Sequence, residues 1–150
     1  MSKPQIDPRG PQFNAMLTSV VLALTLITAP GTAGIILLGA QAVLFAIAVV
    51  FGVQRTPAAY LFKTLVRPRL AAPAHLEDPR PPRFAQAVGL AFATVGLIGY
   101  LSGANLLGAI ATGFALAAAL LNAAFGFCLG CEVYLFLRRF TPRRTSAPHP

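Results

Sequence analysis

From Phe13 to Gln54 the chain carries no charged side chain, and from Phe84 to Cys131 it carries none again. A helix crossing a hydrocarbon core of about 30 Å needs about 20 apolar residues, so each run is long enough for two crossings. Across the whole chain, apolar residues make up 56% and charged residues 11%. A charged share this low, against about 25% in soluble domains, cannot cover a water-facing globule. The apolar surface must face lipid, and the chain reads as an all-α integral membrane protein.

Helix breakers divide both runs. Pro30-Gly31 interrupts the first, with Gly34 just beyond, and Ser102-Gly103-Ala104-Asn105 interrupts the second. The expected transmembrane helices are about 13–28, 34–51, 84–101 and 106–127, paired into two hairpins, with a central loop over about 52–83. Gly89, Ala93 and Gly96 give the third helix a stripe of small residues, and Gly108, Ala111 and Ala115 do the same for the fourth. Such stripes let membrane helices approach closely.

The two halves echo each other. Asp7-Pro8-Arg9-Gly10-Pro11-Gln12-Phe13 returns as Asp78-Pro79-Arg80-Pro81-Pro82-Arg83-Phe84, Phe51-Gly52 as Phe125-Gly126, and Tyr60-Leu61-Phe62 as Tyr134-Leu135-Phe136. Three matches in the same order point to a duplication, with repeat 1 over about 7–70 and repeat 2 over about 78–140. Two crossings per copy make the repeats parallel, related by an axis along the membrane normal. Each second helix is followed by an amphipathic stretch expected to lie in the interface, Ala58–Leu70 and Val133–Phe140. Ala71–Pro82 is expected to be extended, and 141–150 to be a disordered basic tail.

The net charge of +8 is gathered before the first helix, between the second and third, and after the fourth, while both hairpin turns are uncharged. By the positive-inside rule, both termini and the central loop are expected on the cytoplasmic side of a multi-pass membrane protein. The electrostatic partner is then anionic lipid headgroups and not nucleic acid. Four short helices bury little area among themselves, which leaves room for a homo-oligomer.

The only two cysteines stand at Cys128 and Cys131, followed at once by Glu132. The apolar run continues past them to Leu137, too far for one straight helix, so a break is expected near Gly126 or Gly130. That break sets the pair at the cytoplasmic edge of the bilayer. Three readings suit it. In the first, Cys128 and Cys131 are catalytic in dithiol–disulfide exchange or sulfur transfer. A thiol at a helix N-terminus is favoured as thiolate, so Cys128 attacks and Cys131 resolves. Glu132 is then a candidate for proton transfer. Arg55, in the matching stretch of the first repeat, is a candidate counter-ion. In the second, Cys128 and Cys131 bind or transport a soft metal ion, with His75 and His149 as the only further ligands at hand. In the third, the cysteines are inert and the protein is a membrane scaffold. No cofactor is expected under the first reading.

The D-P-R-x-x-x-F lead-in (Asp7, Pro8, Arg9, Phe13) and the C-x-G-C-E-x-Y exit (Cys128, Gly130, Cys131, Glu132, Tyr134) resemble domain-of-unknown-function family 4395. This is an uncharacterised membrane family common in actinobacteria, and the resemblance covers nearly the whole chain. Its members are small polytopic proteins, sometimes encoded near thioredoxin-like or sulfurtransferase proteins. The resemblance therefore implies thiol or sulfur chemistry with such a partner. It assigns no activity and no catalytic residue.

Overall fold

The computed structural model describes residues 5–141. It is all-helical, with α1 (Arg9–Thr28), α2 (Thr32–Phe51), α3 (Pro57–Leu61), α4 (Arg80–Leu101), α5 (Asn105–Phe125) and α6 (Leu129–Phe140). Helices α1, α2, α4 and α5 have 20, 20, 22 and 21 residues and are apolar enough to cross a membrane. At about 1.5 Å per residue each spans the roughly 30 Å core. Their outward side chains are apolar too: Ile27, Leu106 and Phe125 are each at least 75% exposed. In water that surface would be unstable, and in a bilayer it is the solvated one. The protein is a multi-pass membrane protein.

Helices α1 and α4 begin at Arg9 and Arg80, four residues before Phe13 and Phe84 where the sequence pattern places them. Apolar patterning marks only the part of a helix in lipid. The extra turn lies beyond it, and here it is stabilised by local bonds. Asp7 Oδ1 accepts the Arg9 N–H at 3.0 Å, and Asp78 Oδ1 accepts the Arg80 N–H at 2.9 Å. Pro81 and Pro82 are tolerated because first-turn N–H groups have no helical partner to lose. The extended stretch expected over Ala71–Pro82 thus ends at Pro79.

The Arg9 guanidinium also grips Asp7 side on, Nη2 to Oδ2 at 2.8 Å and Nε to Oδ1 at 3.0 Å. Arg9, with a lesser contribution from the charge on Arg67, holds the Asp7 carboxyl below its ordinary range. The same guanidinium donates to the Ala71 carbonyl at 3.0 Å, pinning the loop after α3.

The four long helices form a ring. Helix α1 packs on α2 and α5, and α4 packs on α2 and α5. Leu22, Leu38, Phe45, Ala93, Tyr100 and Ala115 fill its middle. The small-residue stripes face this core. A side chain at Gly89 would strike the Phe45 ring at 2.8 Å, and one at Gly96 would meet Leu38 and Thr112 at 3.1 Å. Polar groups in the ring are satisfied locally: Ser19, Thr25 and Thr112 hydroxyls each donate to the carbonyl one turn back.

Contacts at the basic end of the ring come in matched pairs. Gln12 Nε2 donates to the Ala123 carbonyl at the end of α5 (3.2 Å), and Arg83 Nε donates to the Val49 carbonyl at the end of α2 (2.6 Å). Gln12 and Arg83 occupy equal places in the two lead-ins, as do Ala123 and Val49 before the Phe-Gly pairs. The residues just before Asp7 and Asp78 pair with each other, Ile6 and Glu77 exchanging two backbone hydrogen bonds of 2.9 Å as an antiparallel bridge.

Candidate functional site: the Cys128–Cys131 turn

Helix α5 stops at Phe125 because Gly126 takes a left-handed conformation, φ 66°, which a β-carbon disfavours. Its N–H still bonds the Asn122 carbonyl at 2.9 Å. Cys128 is extended and forms the N-cap of α6. Its Sγ accepts the backbone N–H of Cys131 at 3.2 Å, the place a serine or threonine hydroxyl usually fills. Cys128 and Cys131 are joined as a disulfide. Both are half-buried.

Glu132 lies in the first turn of α6, exposed, with its N–H on the Cys128 carbonyl at 3.1 Å. A carboxylate there is favoured by the positive end of the helix. It therefore shares with Cys128 the same partial positive charge. Among the described residues Glu132 has no ion-pair partner.

The turn is held against the start of α4. Gly130 sits so close to Ala85 that an added β-carbon would lie 2.6 Å from its Cα and Cβ. The Tyr134 and Phe84 rings pack at 5.6 Å, and Arg138 lies over the Tyr134 ring at 5.8 Å. Gly130→Val should push α6 off α4 and cost about 1–3 kcal/mol, the usual range for overpacking. Limited proteolysis of α6 should then accelerate, while Gly130→Ala has the smaller effect. Unchanged cleavage in the valine variant would show that α6 is not seated as described.

Arg55 is not brought to this turn by any hydrogen bond or ion pair among the described residues. It ends a short 3-10 turn, Val53–Arg55, between α2 and α3. The sequence pairing set Gln54–Ala58 against Cys128–Glu132. The helix caps set a different register. Thr56 caps α3 by accepting the Ala59 N–H at 3.2 Å, as Cys128 caps α6. Phe62 packs on Phe13 as Tyr134 packs on Phe84. Thr56 is thus placed like Cys128, and Phe62 like Tyr134. The stretch from Gly52 to Thr56 is two residues longer than that from Gly126 to Cys128, and Arg55 stands in it.

The described residues hold no cluster of three or more His, Cys, Asp or Glu side chains able to hold a metal ion. His75 bonds Glu77 at 3.2 Å in the central loop. His149 and the rest of the tail beyond Thr141 lie outside the described residues, as does the disorder expected for them.

With this geometry in hand, the class is plain: an all-helical membrane bundle with a two-cysteine turn at its basic end. The chain belongs to family DUF4395, a domain of unknown function, whose model matches residues 6–139. No curated protein matches it, and no solved structure does.

Proposed function

We propose that Cys128 and Cys131 form a reversible dithiol–disulfide centre that exchanges electrons or sulfur with a thioredoxin-like or sulfurtransferase partner. The observation that carries this is the cap. The two sulfurs are bonded to each other at the first turn of a helix, and the Cys128 sulfur already accepts a backbone N–H. A thiolate released there keeps that bond and the favourable helix end. The thiolate's counter-charge in this scheme comes from the helix end rather than from Arg55. Glu132 carries protons to and from the pair.

In the reducing direction a partner thiolate attacks Cys128 Sγ, and Cys131 leaves as a thiolate. The partner's second thiolate then attacks its own sulfur in the mixed disulfide and releases Cys128. Two electrons pass to this protein, two protons follow, and the partner leaves as a disulfide. The positive-inside pattern supports placing this exchange at the cytoplasmic face of a bacterial plasma membrane. The matched contacts at the basic end support reading the two halves as parallel hairpin repeats. Only the second carries cysteine at the cap.

The test is a redox titration of the protein in lipid nanodiscs, equilibrated in glutathione buffers and read by alkylation mass shift. A single two-electron transition shared by Cys128 and Cys131 is expected. Two thiols that stay free in every buffer, or a bond that no buffer opens, would defeat the proposal.

A further inference from the structure

The half of the bundle without cysteines holds a cavity of about 400 Å³ at its basic end. It lies between the lead-ins of α1 and α4, the end of α2, and α3 with its continuation. Lys63 and Arg67 line it together with Asn14, Gln54 and Gln86, over a floor that includes Ala48 and Phe62. The chain after α3 runs as a π-helical turn, Phe62–Val66. Single π turns are uncommon and recur at functional sites. This one buries Phe62 against Phe13, at 5.9 Å between rings, while Lys63 and Arg67 face the hollow.

Of the neighbouring cations, Arg55 and Arg69 do not line the cavity, and three others are already engaged. Arg9 holds Asp7, the only carboxylate lining the cavity. Arg80 sits beside Asp78, and Arg83 donates to the Val49 and Val50 carbonyls. Among the described residues the Lys63 and Arg67 side chains have no hydrogen-bonded or ion-pair partner, although Arg67 feels the charge of Asp7. Two unengaged cations one helical turn apart, amide donors beside them, and an apolar floor at the level where the spans end fit an anionic group with an apolar body. We infer that this cavity is a phosphate-binding site, filled by the headgroup of an acidic phospholipid or by a soluble phosphate compound. The cavity and the cysteine turn adjoin the same turn of α4, since Pro82 and Gln86 line the cavity and Ala85 meets Gly130, but no residue of 126–134 lines the cavity.

The experiment uses the full chain and the variant Lys63→Gln/Arg67→Gln. Native mass spectrometry reads the phosphatidylglycerol retained from nanodiscs of graded composition in phosphatidylcholine. Each basic side chain at a membrane surface contributes about 1 kcal/mol, so the double variant should bind roughly thirtyfold more weakly. Arg138→Gln/Arg139→Gln on α6 is the control and should retain the lipid. Lys63→Arg/Arg67→Lys keeps the charge and should bind like the parent, which separates charge from folding. In detergent without acidic lipid, inorganic phosphate is titrated against the thermal unfolding midpoint. A rise that requires Lys63 and Arg67 assigns the site to a soluble phosphate. Retention of phosphatidylglycerol with no response to phosphate assigns it to lipid. Equal lipid retention and equal phosphate response in parent and Lys63→Gln/Arg67→Gln would overturn the site. So would an equal loss in the α6 control, which would mean that basicity anywhere on this face suffices.

Discussion

Cys131→Ser is expected to stop the exchange halfway and accumulate a mixed disulfide between Cys128 and its partner. The expectation follows from where each sulfur sits. Cys128 caps α6, so its thiolate has a backbone N–H at 3.2 Å and the helix end behind it. It is the sulfur that attacks a partner's disulfide and the sulfur that a partner's thiolate attacks. Cys131, inside the first turn, is placed to attack Cys128 and release the partner. Without it nothing in this protein resolves the intermolecular bond, and a partner that lacks its own second cysteine cannot reverse it. Cys128→Ser keeps a capping oxygen and so keeps α6, but leaves only the thiol without the cap bond. Little mixed disulfide should form. Turnover in both variants should fall to the uncatalysed level. The measurement is a non-reducing gel of reduced membranes incubated with a thioredoxin-like protein that lacks its second cysteine and carries its first as a mixed disulfide with a small thiol, which is the leaving group when Cys128 attacks. Equal trapping by the two variants would remove the assigned roles. A double serine variant that exchanges thiols as fast as the parent would remove the chemistry altogether.

The largest loss of stability should come from Gly99→Val, far from the cysteines. Here α4 and α5 touch backbone to backbone. A β-carbon at Gly99 would lie 2.6 Å from the Gly108 nitrogen and 2.9 Å from its Cα. A neighbouring side chain could rotate away, but main chain cannot without moving the helix. Across the contact, Gly108 lies under the Tyr100 ring, 2.8 Å from where its own β-carbon would be. Helices in lipid gain nothing from hydrophobic exclusion against each other, so close packing carries most of their association. A loss of about 3 kcal/mol, the upper end for overpacking, is expected in mixed-micelle unfolding. Gly113→Val, on the same helix pair but with open space at its β-position, should be near neutral. Equal stability of the two variants would contradict the α4–α5 contact.

What the sequence showed and what it hid divide along physical lines. The lipid-crossing parts were legible because a bilayer demands about 20 apolar residues per helix, and Pro30-Gly31 and Ser102–Asn105 mark the only places the runs can turn. A break near Gly126 or Gly130 was legible for a similar reason, since α5 and α6 together exceed the membrane, and the left-handed Gly126 is where it falls. The neighbour relations of the ring were not legible. Apolar residues look alike whether they face lipid or another helix, so nothing in the pattern says that α1 meets α5 or that α2 meets α4. The first turns at Arg9 and Arg80 were missed because they lie outside the apolar run. The like placing of Thr56 and Cys128 as helix caps was not legible, because side-chain identity, Tyr against Tyr, outweighs cap chemistry in a sequence pairing. The cavity beside Lys63 was hidden for another reason. A regular α-helix would set Lys63 about 100° and Arg67 about 140° round from Phe62, and the π turn that departs from this spacing has no strong sequence signature.

The central claim is a reversible disulfide at the cytoplasmic face, and labelling with an impermeant maleimide tests it most directly. Right-side-out and inside-out vesicles are labelled before and after mild reduction. The account predicts no labelling before reduction in either orientation. After reduction, two labels should appear in inside-out vesicles only, both lost when Cys128 and Cys131 are replaced by serine. Labelling of unreduced protein would mean that the thiols are free. Labelling from the opposite face would mean that the topology is inverted. Either result would contradict the account.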